Sequence, residues 1–147
     1  MEDIFKQYAG KVTMNIHIKD PGEEGWVVEK SRDLIKKYNI EKRTYFAGEK
    51  DVLEYALIKA PEIERCCLEG QRDMTIVDNA IKYNCRRVQF WYKRFNQELI
   101  DKAHKHDIIC NLFYCDVYED AKKLYAMGID AILSNYANIT LPAARVR

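Results

Sequence analysis

The stretch Asp107 to Asn138, DIICNLFYCDVYEDAKKLYAMGIDAILSNYAN, decides the fold. It opens on an apolar run, Ile108 to Cys115, rich in residues that favour strands. A charged segment follows, in which Val117, Ala121, Leu124 and Tyr125 recur at helical spacing. Gly128 stands where that helix would end, because glycine enters the left-handed conformation without a Cβ penalty. A second apolar run, Ile129 to Leu133, stops at Ser134-Asn135. Strand, helix, glycine, strand is a βαβ unit. Two buried parallel strands under a covering helix account for it better than a hairpin, which needs only a tight turn.

The same alternation runs back through the chain. Residues 3–10 read as a short helix ending at Gly10, and Val12 to Lys19 as a strand with Met14, Ile16 and Ile18 on one face and Asn15, His17 and Lys19 on the other. Asp20-Pro21-Gly22 breaks it, and Trp26 to Tyr38 carries a helical apolar stripe. Strands follow at Arg43 to Ala47, Ile63 to Leu68 and Arg87 to Tyr92. The helices between them run from an Asp51 cap to Lys59, over 74–83, and from an Asn96 cap over Gln97 to His106. Leu141 to Arg147 reads as a loop or a frayed helix. From the second strand onward the strands recur about every 22 residues, which excludes a helical bundle or a β-sandwich. An open doubly wound sheet and part of a TIM barrel remain. The barrel is favoured, because several strands place polar residues on one face: Asn15, His17 and Lys19; Glu69 beside Cys67; Gln89 beside Trp91; Asn111 beside Phe113. The expected fold class is therefore α/β, a partial (β/α) barrel of about six parallel strands in one domain over residues 1–147. A complete barrel has eight units.

Composition narrows the function classes. A net charge of +1 gives no strong pull on nucleic acid or an acidic membrane, so neither is expected as a partner. The longest apolar runs are strand-sized, well short of a membrane span. MEDIFKQYAG lacks the features of a signal peptide. The five cysteines are odd in number and form no CxxC pair, so they read as reduced, buried small hydrophobes in a cytoplasmic protein, with no zinc-ligand spacing.

In a barrel, ligands sit at the C-terminal ends of the strands. Those ends would be Lys19, Gly48 to Lys50, Glu69 to Arg72, Tyr92 to Arg94, Cys115-Asp116 and Ser134-Asn135. Lys19, Lys50, Arg72, Lys93 and Arg94 would form a basic ring suited to an anionic ligand such as phosphate. Lys19 leads the set, since it shares a face with Asn15 and His17, where a bare ammonium needs an anion. His17 has the chemistry of a metal ligand or proton shuttle, or of a hydrogen-bonded lumen histidine. Glu69 is a candidate oxygen ligand or a partner for His17 or Lys19, and Trp91 and Phe113 are candidates for an apolar wall. His104 and His106 read as a solvated helix end, and Arg86-Arg87 as stabilising residues at the opposite mouth.

Two stretches resemble the glycerophosphodiester phosphodiesterase family, whose fold is a TIM barrel. Asn15-Ile16-His17-Ile18-Lys19 is similar to that family's Asn-Ile-Glu-Ile-Lys strand. Asn111-Leu112-Phe113-Tyr114-Cys115-Asp116, then Gly128-Ile129-Asp130-Ala131-Ile132 and Ser134-Asn135-Tyr136, resemble its Val-Trp-Thr-Val-Asn strand, its Gly-Val-Asp-Gly-Ile run and its terminal Thr-Asp-x-Pro. The resemblance covers essentially the whole chain and aligns it with the third through eighth strands. It implies hydrolysis of a phosphodiester with calcium or magnesium. It retains the family lysine as Lys19 and sets His17 where the family has a metal-ligand glutamate. The family's other catalytic motifs belong to its first two strands and have no counterpart here. Three readings stay open: a divergent glycerophosphodiester phosphodiesterase, a non-catalytic anion-binding or interaction domain, and one half of a split barrel enzyme. The open sheet edges of such a barrel favour oligomerisation.

Overall fold

The computed structural model describes residues 1–145. Six strands, β1 (Met14–His17), β2 (Thr44–Gly48), β3 (Glu64–Cys67), β4 (Arg87–Trp91), β5 (Ile109–Phe113) and β6 (Ala131–Leu133), pair in sequence order and all in parallel. Helices α1 (Glu2–Tyr8), α2 (Trp26–Lys37), α3 (Lys50–Lys59), α4 (Ile76–Lys82), α5 (Gln97–Lys105), α6 (Tyr118–Met127) and α7 (Ala137–Ala144) alternate with them. The sheet curls into an open half-barrel, the partial TIM architecture the repeat implied. No helix among the described residues is long and apolar enough to cross a membrane.

The two faces of the sheet explain the mixed polarity of its strands. Phe46, Cys67, Val88, Phe90, Cys110 and Leu112 lie under the helices in two continuous apolar clusters. Asn15, His17, Ala47, Leu68, Gln89, Trp91, Phe113 and Leu133 face the concave side. One expectation is corrected here: the inward residues of β3 and its extension are Cys66 and Leu68, while Cys67 packs outward among Leu53, Ile76 and Val77. Adjacent cysteines give no polarity difference, so the sequence could not set the parity of this strand. All five cysteines are free and buried, as expected. Burial pushes the Cys66 thiol up, and it pushes the Cys110 thiol up to about 12, with the Asp130 carboxylate adding to the effect.

Four turns from helix to strand share one device. After α2, α4, α5 and α6, a single residue takes positive φ: Asn39 (53°), Asn84 (49°), Asp107 (57°) and Gly128 (107°). The next residue sends its N–H back to the helix five positions earlier. These bonds are Ile40 to Ile35 at 3.2 Å, Cys85 to Ala80 at 2.8 Å, Ile108 to Ala103 at 2.9 Å and Ile129 to Leu124 at 3.1 Å. This satisfies helix carbonyls that would otherwise lack donors and aims an apolar residue into the core at each strand entry. At Gly128 a Cβ would also stand 3.0 Å from Ile100 Cγ2 and 3.2 Å from His104 Cε1. Gly128→Ala is expected to destabilise the fold by about 1–2 kcal/mol, from left-handed strain plus this crowding. A lower urea midpoint at unchanged slope would show it, and an unchanged midpoint would refute it.

Boundaries moved where tertiary pairing governs them. The first strand is Met14–His17 instead of Val12 to Lys19, because β1 is an edge strand and its ladder reaches only as far as β2. Asn96 caps α5 as expected, its side chain accepting from Leu99 N–H at 3.0 Å. Asp51 does not cap α3; the helix begins at Lys50, whose N–H donates to the Glu69 carboxylate at 3.0 Å. The tail read as a loop or frayed helix begins inside α7, which runs to Ala144 with Pro142 within it and buries Thr140 and Ala143. Val146 and Arg147, the end of that expected tail, lie outside the described residues.

Candidate ligand-binding cleft

The C-terminal ends of the strands open into a cleft of about 820 Å³. Its floor and walls come from β1 to β6, and the segment from Glu69 to Asp73 forms one rim. Within it Gly70 takes φ 83°. A Cβ there would meet Thr75 Oγ1 at 2.3 Å and the Ile76 backbone nitrogen at 2.8 Å, so only glycine lets the chain turn this tightly. Gln71 then latches the rim down by donating its Nε2–H to the Gln89 carbonyl at 2.5 Å.

The cleft gathers His17, Lys19, Glu69, Trp91 and Phe113, all five candidates from the sequence. His17 and Lys19 are exposed on the concave side of β1 and just beyond it. Neither side chain has a hydrogen bond or ion pair among the described residues. The same holds for the Arg72 side chain, in the rim segment after β3, so two uncommitted cations, Lys19 and Arg72, line the cleft. Trp91 and Phe113 meet at 5.4 Å between ring centroids, tilted by 57°, and with Leu133 they make an apolar wall opposite Lys19 and His17.

Other members of the expected basic ring diverge. Lys50 lines a side pocket of about 170 Å³ with Lys19, Glu49 and Glu69. Lys93 lies over the Tyr92 ring at 5.2 Å, and neither it nor Arg94 lines the cleft. Asp116 and Ser134-Asn135 satisfy one another. The Asp116 carboxylate accepts from Ser134 Oγ at 2.9 Å, Asn135 N–H at 2.8 Å and Asn135 Nδ2 at 2.9 Å. The bond from the Asn135 side chain leads in holding its carboxyl below the usual range. This ties the ends of β5 and β6 together and takes Asp116 out of the list of free bases.

The carboxylates of the cleft are Glu49, Glu69 and Asp73. Glu69 is engaged at the N-terminus of α3, where a negative charge is favoured by the helix dipole. Asp73 accepts from Thr75 N–H at 3.1 Å and Thr75 Oγ1 at 2.7 Å, which lowers its pKa, the side-chain bond leading. The Glu49 side chain has no partner among the described residues. Its place immediately after β2 put it at the mouth within Gly48 to Lys50, but the sequence assigned it no role. Deeper in, the Gln89 and Asn111 side chains are buried, and Gln89 Oε1 and Asn111 Oδ1 lack donors among the described residues. Two unsatisfied acceptors below the cleft would suit a hydroxyl-bearing ligand or water.

Calcium or magnesium needs six or more oxygen ligands around one point. In the cleft the candidates are the His17 imidazole and the carboxylates of Glu49, Glu69 and Asp73, of which Glu69 already accepts from the Lys50 N–H and Asp73 from Thr75. No three metal-binding side chains converge there among the described residues. The cleft residues of this chain do not by themselves fit a hard divalent cation.

Among known proteins, the fold matches a segment of the (β/α) barrel of solved glycerophosphodiester phosphodiesterases. The glycerophosphodiester phosphodiesterase from Parabacteroides distasonis superposes with a TM-score of 0.84 at 16% identity, covering 99% of this chain and 63% of that one. The one from Agrobacterium tumefaciens gives 0.77 at 13%, covering 98% and 60%. An Oleispira antarctica phosphodiesterase, in complex with the product sn-glycerol-3-phosphate, gives 0.72 at 17%, covering 97% and 58%. No protein-family model matches the sequence, and no curated protein gives a significant match. The chain carries a partial glycerophosphodiester phosphodiesterase fold, and it spans about three fifths of the length of these structures.

Proposed function

We propose that the cleft binds the phosphoester group of a glycerophosphodiester or glycerol phosphate, with Lys19 as its principal contact. The observation that carries this is the pairing of two uncommitted cations, Lys19 and Arg72, with the apolar wall of Trp91, Phe113 and Leu133 in one cleft. A doubly charged or singly charged phosphate meets the cations, and the carbon skeleton lies on the rings. The Oleispira antarctica relative, which holds sn-glycerol-3-phosphate, supports that ligand class. His17 is placed to donate to a phosphate oxygen or to move a proton at it. Hydrolysis with calcium or magnesium draws on carboxylates beyond those of this chain, since its own donor set is short. The chain is thus a phosphoester-binding part of a hydrolase, and it acts in catalysis when the barrel is completed.

Calorimetric titration with sn-glycerol 3-phosphate tests the binding step. Binding is expected for the wild-type chain and is expected to weaken roughly 10- to 100-fold in Lys19→Ala, the usual loss for one charge-assisted hydrogen bond. Glycerol without phosphate should not bind. Equal affinity of wild type and Lys19→Ala would remove Lys19 from the site.

A further inference from the structure

At the end of the barrel opposite the cleft, three side chains from separate elements converge. His104 is on the last turn of α5, Cys110 is on the outer face of β5, and Asp130 precedes β6. One imidazole nitrogen, the Cys110 Sγ and one Asp130 carboxylate oxygen all lie within 4.8 Å of one another. His104 Nε2 stands 3.0 Å from Asp130 Oδ2, and the same oxygen accepts the Cys110 backbone N–H at 2.8 Å. His104, expected from sequence to be a solvated helix end, is therefore held over the entry to β5. An open cavity of about 340 Å³, lined by His104, Asp107, Ile108, Ile109 and Asp130, adjoins the cluster.

We propose that His104, Cys110 and Asp130 form a zinc-class metal site. The donor set of one nitrogen, one sulfur and one oxygen suits a borderline-soft ion and does not suit calcium or magnesium. Bonds to zinc of roughly 2.0–2.3 Å place tetrahedral donors about 3.3–3.8 Å apart. The donors here lie within 4.8 Å of one another, with His104 Nε2 and Asp130 Oδ2 at 3.0 Å, so coordination needs a modest closing on the sulfur. His104 and Asp130 are partly exposed, so both can close by side-chain rotation while Cys110 stays fixed in the sheet. Gly128 leaves the room for this, because a Cβ there would stand 3.2 Å from His104 Cε1. The adjoining cavity opens beside His104 and Asp130, the side from which a fourth ligand would come. On coordination the Cys110 thiol proton leaves to solvent and the sulfur binds as thiolate. The cluster does not show in the sequence as ligand spacing, because the topology of two consecutive β/α units assembles it. Its place at the N-terminal ends of β5 and β6 makes it a stabilising clamp across α5, β5 and β6, independent of the phosphoester cleft.

The test is titration of the full chain, under reducing conditions, with cobalt(II) and zinc. Cobalt is expected to bind one to one with tetrahedral visible bands and a near-ultraviolet thiolate charge-transfer band, and zinc is expected to displace it and raise Tm. Cys110→Ser should lose the thiolate band. His104→Ala and Asp130→Asn should each weaken metal binding by at least about 10-fold. Asparagine keeps an acceptor for the Cys110 N–H, and His104 is exposed, so these two variants carry the test if Cys110→Ser fails to fold. Cys85→Ser, another buried thiol, should bind as wild type. Absence of cobalt absorption at stoichiometric metal, persistence of the thiolate band in Cys110→Ser, or unchanged affinity in both other variants would overturn the site.

Discussion

Replacing Arg65 with methionine is expected to cost about 3 kcal/mol of folding stability. Arg65 is 5% exposed, on the outer face of β3, and no carboxylate among the described residues bonds to it. Its guanidinium instead binds backbone carbonyls. Nε donates to Tyr83 O at 3.3 Å, Nη2 to Asn84 O at 2.8 Å, and Nη1 to Ile63 O at 3.2 Å and Pro61 O at 3.4 Å. Two of these carbonyls end α4, where the helix dipole is negative and a cation is favoured. Burial pulls the Arg65 pKa below its usual value, yet a guanidinium stays protonated. Methionine fills comparable length but offers no donor. The carbonyls it abandons are partly buried, and each unsatisfied one costs about 1–3 kcal/mol unless water reaches it. Rehydration of the outer carbonyls brings the sum down to the stated figure. Arg65→Lys keeps the charge but cannot span four acceptors, so it should fall between the two. Urea denaturation orders the three proteins, and a methionine variant within about 0.5 kcal/mol of wild type would show that water replaces the clamp fully. Arg65 holds β3 to the turn entering β4. Its loss should therefore also loosen the strand from which the Glu69 to Asp73 rim departs.

Local chemistry made the fold legible. The apolar runs, Gly128 and the Asn96 cap each act within a few residues, so they show in the sequence. Asn39, Asn84 and Asp107 do the work of Gly128 at three other turns. They are less visible because asparagine and aspartate enter the left-handed region more rarely and serve many other roles. The start of α3 was misplaced because its cap is Glu69, nineteen residues away, and no local pattern encodes that bond. Lys19, His17, Trp91 and Phe113 were readable as cleft residues because strand alternation fixes their face. Asp73 and the Gln71 latch were not, since a rim loop has no period. His104, Cys110 and Asp130 meet only through tertiary topology.

The largest functional effect is expected from closing the barrel. Strands β1 and β6 each pair on one side only, so the curled sheet has two free edges. Exposed apolar side chains accompany both: Ile4, Tyr8 and Val12 near β1, and Tyr136, Ile139 and Leu141 beyond β6. A closed (β/α) barrel has eight strands, so two further units fill the gap. A second copy of this chain brings six more strands and cannot close the same barrel. The chain alone, with calcium or magnesium, is expected to bind sn-glycerol 3-phosphate but to hydrolyse glycerophosphodiesters no faster than buffer. Adding the part of the Parabacteroides distasonis enzyme that precedes the matched region is expected to give a one-to-one complex by light scattering. Turnover in that complex should be chelator-sensitive and at least about 100-fold above the chain alone, the scale that positioned acid–base groups provide. Lys19→Ala in the complex should return it toward background. Metal-dependent turnover by the isolated chain would mean that His17, Glu49 and Glu69 hold the ion without further ligands, against the coordination argument. A one-to-one complex without turnover would remove hydrolysis and leave phosphoester binding as the function of the cleft. Association of the isolated chain into homodimers would show that the free edges pair with each other, and that pairing would have to dissociate before the barrel could close.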